Sequence, residues 1–306
     1  MSALGVAAVL AFSVWGLVDD PKLFIRTALN GITLAALYFV VASGFTLVFG
    51  LMRNVNLAHG SLYLLGAYLG FEVGQWTGSW LLAVAAGFAG SALVGVVLQV
   101  GIFRHMQGQD LRQTMFTIGL SIVLADLMLW QWGGEIYQFD PPEIIYGRMP
   151  MPLIKVYPTY RLVLLAIAIV IGLVLWWFLN RTRVGMMIRA GVDDRAMLAA
   201  AGVNVQAVFA ITFAVGAGLA GFGGVVGGTA LSISPGEDVR YLLASLVVVI
   251  VGGMGSISGA ALGALLVGLA EQFGLAYAPT YGVVFTFVIM VLVLAFRPQG
   301  LMGKAA

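Results

Sequence analysis

Four stretches of this 306-residue chain place residue types able to do chemistry inside an otherwise apolar sequence. The first is Arg53-Asn54-Val55-Asn56-Leu57-Ala58-His59-Gly60. Polar groups in an apolar setting need partners and are functional candidates by default. Asn54, Asn56, His59 and Gly60 therefore read either as an element of a translocation pathway or as an ordinary turn built on Asn and Gly. A metal site at His59 is not expected, because the other histidine, His105, lies in another loop and no carboxylate is within four residues. The second stretch is Gly252-Gly253-Met254-Gly255-Ser256, a glycine break inside an apolar run. The third is Asp126, alone in the middle of 112–132. It reads as a helix–helix hydrogen bond to a Ser, Thr or Asn in preference to a proton or ion site. The fourth is RTRVGMMIRAGVDDRAMLAAAGVNV, 181–205. There Asp193 and Asp194 can cap a short helix, Arg195 to Ala201, that ends at Gly202. A short amphipathic helix of this kind, with Met197 and Leu198 on it, suits docking into a groove on a partner protein.

Catalytic groupings are missing. The sequence holds no paired carboxylates on one span, no Ser-His-Asp set, no H-E-x-x-H and no P-loop. With no cysteine it has no disulfide, thiol nucleophile or Cys-ligated metal. The net charge of +2 is too small to argue for nucleic acid. If a transport step here runs on ATP, the ATPase is another chain.

The elements that must position these residues are membrane helices. The chain is 61% hydrophobic and 9% charged, with a mean hydropathy of +1.03. Soluble domains are roughly 45–50% apolar and about 25% charged, and a chain so poor in charge could not cover a water-facing surface. A bilayer core about 30 Å thick needs roughly 20 helical residues. Apolar runs predict spans at 3–18, 28–50, 60–76, 79–103, 112–132, 160–180 and 205–230, a broken stretch at 241–275, and 280–296. Runs such as LVLLAIAIVIGLVLWWFL are continuous, so helices are expected in place of alternating barrel strands. The stretch 3–18 lacks a basic n-region and an A-x-A-like site and reads as a retained helix. The fold class is thus all-α: a polytopic transmembrane bundle of about 8–10 segments with broken or re-entrant helices, one domain over 1–306.

Charge sets an orientation, since cytoplasmic loops collect Lys and Arg. Arg181, Arg183, Arg189 and Arg195 place the 181–204 loop inside, and Arg297 and Lys304 place the C-terminus inside. Walking back along the spans puts the N-terminus inside as well. Arg53, Arg104 and Arg112 then bring the cytoplasmic basic residues to nine of 15. Parity requires 241–275 to begin and end outside. It is either a hairpin that dips in and turns at Gly252 to Ser256, or two tilted full spans with that turn in the cytoplasm.

Two segments echo one another, FGLMRNVNLAHGSLYLLGAYLG at 49–70 and VGGMGSISGAALGALLVG at 251–268. Glycine-broken segments at corresponding places in two halves point to a transport pathway; chance similarity of two glycine-rich helices is the alternative. The G-x-x-x-G pairs 223/227, 224/228 and 259/263 read as close-packing helix faces.

Taken together, four segments resemble the permease subunits of bacterial ABC importers for branched-chain amino acids. They are FGLMRNVNLAHGSLYLLGAY, 49–68; TRVGMMIRAGVDDRAMLAAAGVNV, 182–205; VVVIVGGMGSISGAALGALLVG, 247–268; and FRPQGLMG, 296–303. The resemblance covers the chain from about residue 25, and the length is similar to the smaller of the two permeases in such systems. It implies a multi-pass protein of the bacterial cytoplasmic membrane, paired as a heterodimer with a related permease. Two cytoplasmic ATPases that hold the ATP and Mg would dock below, and an extracytoplasmic solute-binding protein would deliver substrate. It also implies an ATPase-coupling role for Gly185, Arg189, Ala190, Asp193, Asp194 and Gly202. Asn54, Asn56, His59, Gly60, Gly252, Gly253, Gly255 and Ser256 are the candidate lining of the pathway. Leucine, isoleucine and valine are the default substrates, with urea, short amides and other amino acids handled by related permeases. The rival reading, an ion-coupled secondary transporter or channel, rests on Asp126 and the broken helices.

Overall fold

A computed structural model describes residues 16, 18–51, 56–150 and 156–303. Most of the expected 3–18 span lies outside these residues, as do Arg53, Asn54 and Lys304. Eleven α-helices make up the described chain. They are α1 Pro21–Phe45, α2 His59–Thr77, α3 Trp80–Gly101, α4 Asp110–Trp132, α5 Thr159–Arg181, α6 Arg183–Asp193, α7 Arg195–Ala200, α8 Val205–Ala230, α9 Glu237–Gly252, α10 Ile257–Tyr277 and α11 Gly282–Phe296. A short hairpin, β1 Arg148–Met149 with β2 Tyr157–Pro158, joins α4 to α5. Six helices are long and apolar enough to cross a membrane, and this is an all-α, multi-pass membrane protein.

Local chemistry sets the helix starts. Asp20 Oδ1 accepts from the Lys22 and Leu23 amides at 3.1 and 3.0 Å, with Pro21 opening α1. Thr182 caps α6 and Asn204 caps α8 in the same way. At its foot α1 runs on into one wider π-helical turn, Thr46–Leu51.

The two central pillars are α1 and α8: 83% and 72% of their spanning windows are buried, against 17% for α4 and 22% for α5. Small residues let neighbouring helices approach, as the G-x-x-x-G spacing predicts. Gly224 lies on the Tyr63 carbonyl of α2, and Gly263 lies on the Val248 carbonyl of α9.

Packing defines two ends of the bundle. At the lower end lie the foot of α1, the 181–205 segment, the turn between α9 and α10, and the chain after α11. Gly50 there meets the Gly255 backbone, and the amides of Leu301 and Met302 donate to the carbonyls of Val251 and Gly252, both at 2.9 Å. At the upper end the 137 and 233 backbones pair, and Trp80 Nε1 donates to Thr229 Oγ1 at 2.9 Å.

Two helices do not start at an end. α2 runs beside α4 in the same direction with a constant offset of 60 residues. The Leu57 amide donates to Thr117 Oγ1, Ser61 Oγ to the Ser121 carbonyl, and Trp132 Nε1 to Glu72 Oε1. That offset sets His59 beside Gly119, about 13 Å above the start of α4 at 1.5 Å per residue, near the middle of a helix about 34 Å long. The start of α9 lies at the same level, because Gly60 packs on the carbonyl of Asp238.

This corrects the expectations for 241–275. The stretch is neither a dipping hairpin nor two full spans. α9 is a 16-residue helix descending from mid-depth, α10 is a full 21-residue span, and the Gly253–Ser256 turn sits at the lower end. That is the second alternative with its first limb shortened. The segment that does break at depth is Leu231 to Gly236, which ends in Pro235-Gly236. The 181–204 loop likewise folds as two helices, α6 and α7, where one was expected.

Candidate functional site

The starts of α2 and α9 meet inside the bundle. Asn56 is fully buried, and its Oδ1 accepts from the Ala58 amide at 3.1 Å, an Asx-type turn that starts α2. His59 is also fully buried; its Nε2 lies 3.1 Å from the Val41 carbonyl and its ring leans on Phe45 at 5.2 Å. Asn56 Nδ2 and His59 Nδ1 find no partner among the described residues. Gly60 has no room for a Cβ, because the Asp238 carbonyl occupies that space. Ser61 Oγ lies 3.4 Å from Asp238 Oδ2, an acceptor that shares the hydroxyl's one proton with the Ser121 carbonyl and ties the two helix starts together. Each start presents the positive end of a helix dipole, and Glu237 and Asp238 in the first turn of α9 supply the matching negative charge.

Directly beside this junction sits a polar network of residues that the sequence motifs do not single out. Tyr38 donates to Glu271 Oε2 at 2.7 Å. Arg240 Nη2 lies 3.2 Å from Glu271 Oε1, and its Nη1 lies 3.5 Å from Glu237 Oε2. Tyr63 and Tyr241 stack at 4.0 Å, and Tyr38 meets Tyr241 edge-on at 6.1 Å. Glu271 is buried on α10, 14 residues from its lower start. The signal that could have found it is the one applied to Asp126, an acid inside an apolar span. Above the network opens a cavity of about 370 Å³ between α1, α5, α9, α10 and the 230–232 link, with Arg161, Arg240 and Glu237 in its wall.

The lower end carries the other predicted residues. Gly252, Gly253 and Gly255 form a tight turn in which Gly253 has φ +104° and Gly255 φ +79°. Ser256 caps α10 through the Gly259 amide at 3.0 Å. These four residues sit at the bundle end and not at mid-depth, so they do not join the Asn56–His59–Gly60 junction. The 181–204 segment is an elbow. Gly185 seats the first turn of α6 on the backbone of Phe178 and Leu179 in α5. Asp194 Oδ1 accepts from the Ala196 and Met197 amides at 2.8 and 2.9 Å and starts α7, which ends before Gly202 at φ +80°. Arg189, hydrogen-bonded to Asn180 at 2.8 Å, and Ala190 are exposed. The Asp193 side chain lies outside the described residues. Leu198 was expected on the docking face but is buried, beside Gly191; Met197 and Met186 are the exposed apolar side chains.

The family model described as "Branched-chain amino acid transport system / permease component" matches residues 27–294. The chain belongs to this family. The permease is 32% identical over 297 residues to the high-affinity branched-chain amino acid transport system permease protein BraD of Pseudomonas aeruginosa, covering 92% of this chain and 96% of that one. It is 30% identical over 299 residues, with the same two coverages, to LivH of Escherichia coli K12, a permease protein described in the same words. A second permease protein, LivM of Salmonella typhimurium, is 24% identical over 308 residues, covering 92% of this chain and 71% of its own length. No solved structure matches.

Asp126 of the permease is exposed on α4 and makes no hydrogen bond with the described residues, so the expected helix–helix bond is absent. The hydroxyl of Ser121, one turn away, donates to its own helix at the Ile118 carbonyl. Among the described residues no group of three His, Cys, Asp or Glu is placed to hold a metal ion.

Proposed function

We propose that this permease forms one half of the translocation pathway of a bacterial ABC importer for leucine, isoleucine and valine. It pairs as a heterodimer with a second, related permease. The lower end is cytoplasmic, with both chain termini on that side, and two ABC ATPases that hold ATP and Mg dock there. A solute-binding protein delivers substrate at the upper end. The branched-chain amino acid systems to which BraD and LivH belong support the substrate class, and the existence of LivM-type relatives supports the heterodimer.

The α6–α7 elbow carries the coupling reading. It presents Arg189, Ala190 and Met197 outward while Gly185 fixes it without slack to α5. Arg195 packs over the Phe209 ring of α8 at 4.6 Å. A partner that moves the elbow therefore moves one peripheral helix and one central pillar together. Such a push can shift the balance between two arrangements of the bundle. In this scheme Gly185, Arg189, Ala190, Asp193, Asp194 and Gly202 serve coupling. Asn56, His59 and Gly60 make the breakable mid-depth joint, and Asn54, outside the described residues, is assigned to the pathway with them. Gly252, Gly253, Gly255 and Ser256 act as a lower hinge.

The test is ATP-driven leucine uptake by the complete transporter in proteoliposomes. Arg189→Glu combined with Asp193→Asn and Asp194→Asn is expected to lower uptake by at least about tenfold, as loss of a coupling interaction does, and to release the ATPases on purification. Unchanged docking and uptake would remove the coupling assignment.

A further inference from the structure

The cavity of about 370 Å³ above the Arg240 network has a wall that is divided by charge. Its volume lies within the roughly 300–1,000 Å³ range of small-ligand sites. Two guanidinium groups face it, Arg161 from α5 and Arg240 from α9, against one carboxylate, Glu237. Their situations differ. Arg240 is held by Glu237 and Glu271. Arg161 donates to the Asn30 side chain and lies 5.7 Å from the Tyr157 ring centre, and it has no carboxylate partner among the described residues. Its remaining N–H donors form a planar fork suited to a carboxylate. Glu237, half-buried and engaged with Arg240 only at 3.5 Å, keeps acceptor capacity. The rest of the wall mixes the aliphatic Leu34, Leu37, Leu164 and Leu231 with the neutral polar Asn30, Thr33, Ser232 and Gln272.

We infer that this cavity binds an α-amino-acid zwitterion with an aliphatic side chain, its carboxylate on Arg161, its ammonium on Glu237 and its side chain on the leucines. This rests on the transport reading above and places the first stop of the pathway within this chain, near the upper end. The matching is one of dipole and shape. A fatty acid of the same skeleton would leave Glu237 with no cation but Arg240 at 3.5 Å, and an amide would leave Arg161 without an anion. An unpaired charged group in a partly dry site disfavours the ligand that causes it.

The chain has no cysteine, so one can be introduced as a single reporter. The complete transporter carrying Ser232→Cys, in the cavity wall, is treated with a small cationic methanethiosulfonate, and labelling of this chain is timed by mass spectrometry. Millimolar leucine is expected to slow labelling by about threefold or more, while leucinamide and 4-methylpentanoate do not, since each lacks one of the two charges. Arg161→Gln should abolish the protection and Arg161→Lys should restore part of it. Glu237→Gln should narrow the preference for leucine over 4-methylpentanoate, a change of selectivity that a merely structural role would not produce. Equal protection by all three compounds, or none by leucine in a preparation that still transports it, overturns the site and leaves the transport function standing. A wild-type transporter that moves no amino acid overturns both.

Discussion

Replacing Glu271 by leucine isolates the interaction on which the buried network turns. Glu271 accepts from Tyr38 at 2.7 Å and from Arg240 at 3.2 Å, on a side chain only 9% exposed. Three effects compete. Tyr38, 1% exposed, loses its acceptor, and an unsatisfied buried polar group costs about 1–3 kcal/mol. Arg240 loses its closer carboxylate, but its side chain is 44% exposed and Glu237 remains at 3.5 Å, so screening limits that loss to about 1 kcal/mol or less. Leucine returns some apolar burial, which offsets about 1 kcal/mol. The net expectation is a destabilisation of about 2 kcal/mol, dominated by the tyrosine. Glu271→Gln keeps an acceptor for Tyr38 and should cost clearly less. A cycle with Tyr38→Phe should give a coupling energy of about 1–1.7 kcal/mol, the upper part of the range for hydrogen bonds between membrane helices, because this acceptor is charged. Unfolding in mixed micelles of rising dodecyl sulfate, followed through the seven tryptophans, measures each variant. A coupling below about 0.3 kcal/mol, or a glutamine variant as unstable as the leucine variant, would show that the tyrosine bond does not dominate.

Other consequences can be checked with the same preparations. Gly60→Val places a branched side chain on the Asp238 carbonyl; it should prevent correct assembly, read as loss of the monodisperse peak in size-exclusion chromatography, where Gly101→Val, with open space around it, should not. Asp194→Ala removes the acceptor for two amides and should cost about 1 kcal/mol of local helix stability, seen as faster amide exchange across 195–200 with little change in global unfolding. Gly253→Ala combines a φ of +104° with a close approach to Gly303; a loss of more than about 1 kcal/mol is expected, and a neutral result in micelle unfolding would contradict the described turn. Arg104→Glu, exposed at the lower end, should lower the yield of correctly oriented protein if Lys and Arg there set the topology, measured by protease protection in inverted vesicles.

Much of the bundle was legible because bilayer thickness and backbone satisfaction act on composition. The structure starts α4, α5 and α8 within two residues of the spans read from apolar runs. The G-x-x-x-G pairs also behaved as spacing dictates, since close approach is a local property of the helix face. Depth was not legible in the same way. His59 and Glu237 open helices at mid-depth, but an apolar run records that a residue is inside a membrane and not how far in. The Gly252–Ser256 break looked like the mid-membrane interruption because it is glycine-rich, whereas Pro235-Gly236, which falls between the apolar runs 205–230 and 241–275, marks the real one. Asp126 shows the complementary error. Being mid-span suggested burial, yet it lies on the exposed face of α4, and sequence distance from the ends does not fix which way a side chain faces. The Tyr38–Glu271–Arg240 network joins residues 233 and 31 positions apart, a pairing only the assembled bundle creates.

The two hydrogen bonds from Leu301 and Met302 to Val251 and Gly252 also constrain how the chain is made. The carbonyls at the foot of α9 receive their partners from amides 50 residues downstream. In between the ribosome must produce the whole of α10 and α11. During that interval the foot of α9 has unmet acceptors and the positive-φ turn at Gly253 lacks its neighbour. The half-length helix is therefore completed among the last events of insertion, after its longer companions are in place. A permease truncated before Gly300 would carry helices α1 to α11 and still leave the Gly253 turn without its neighbour.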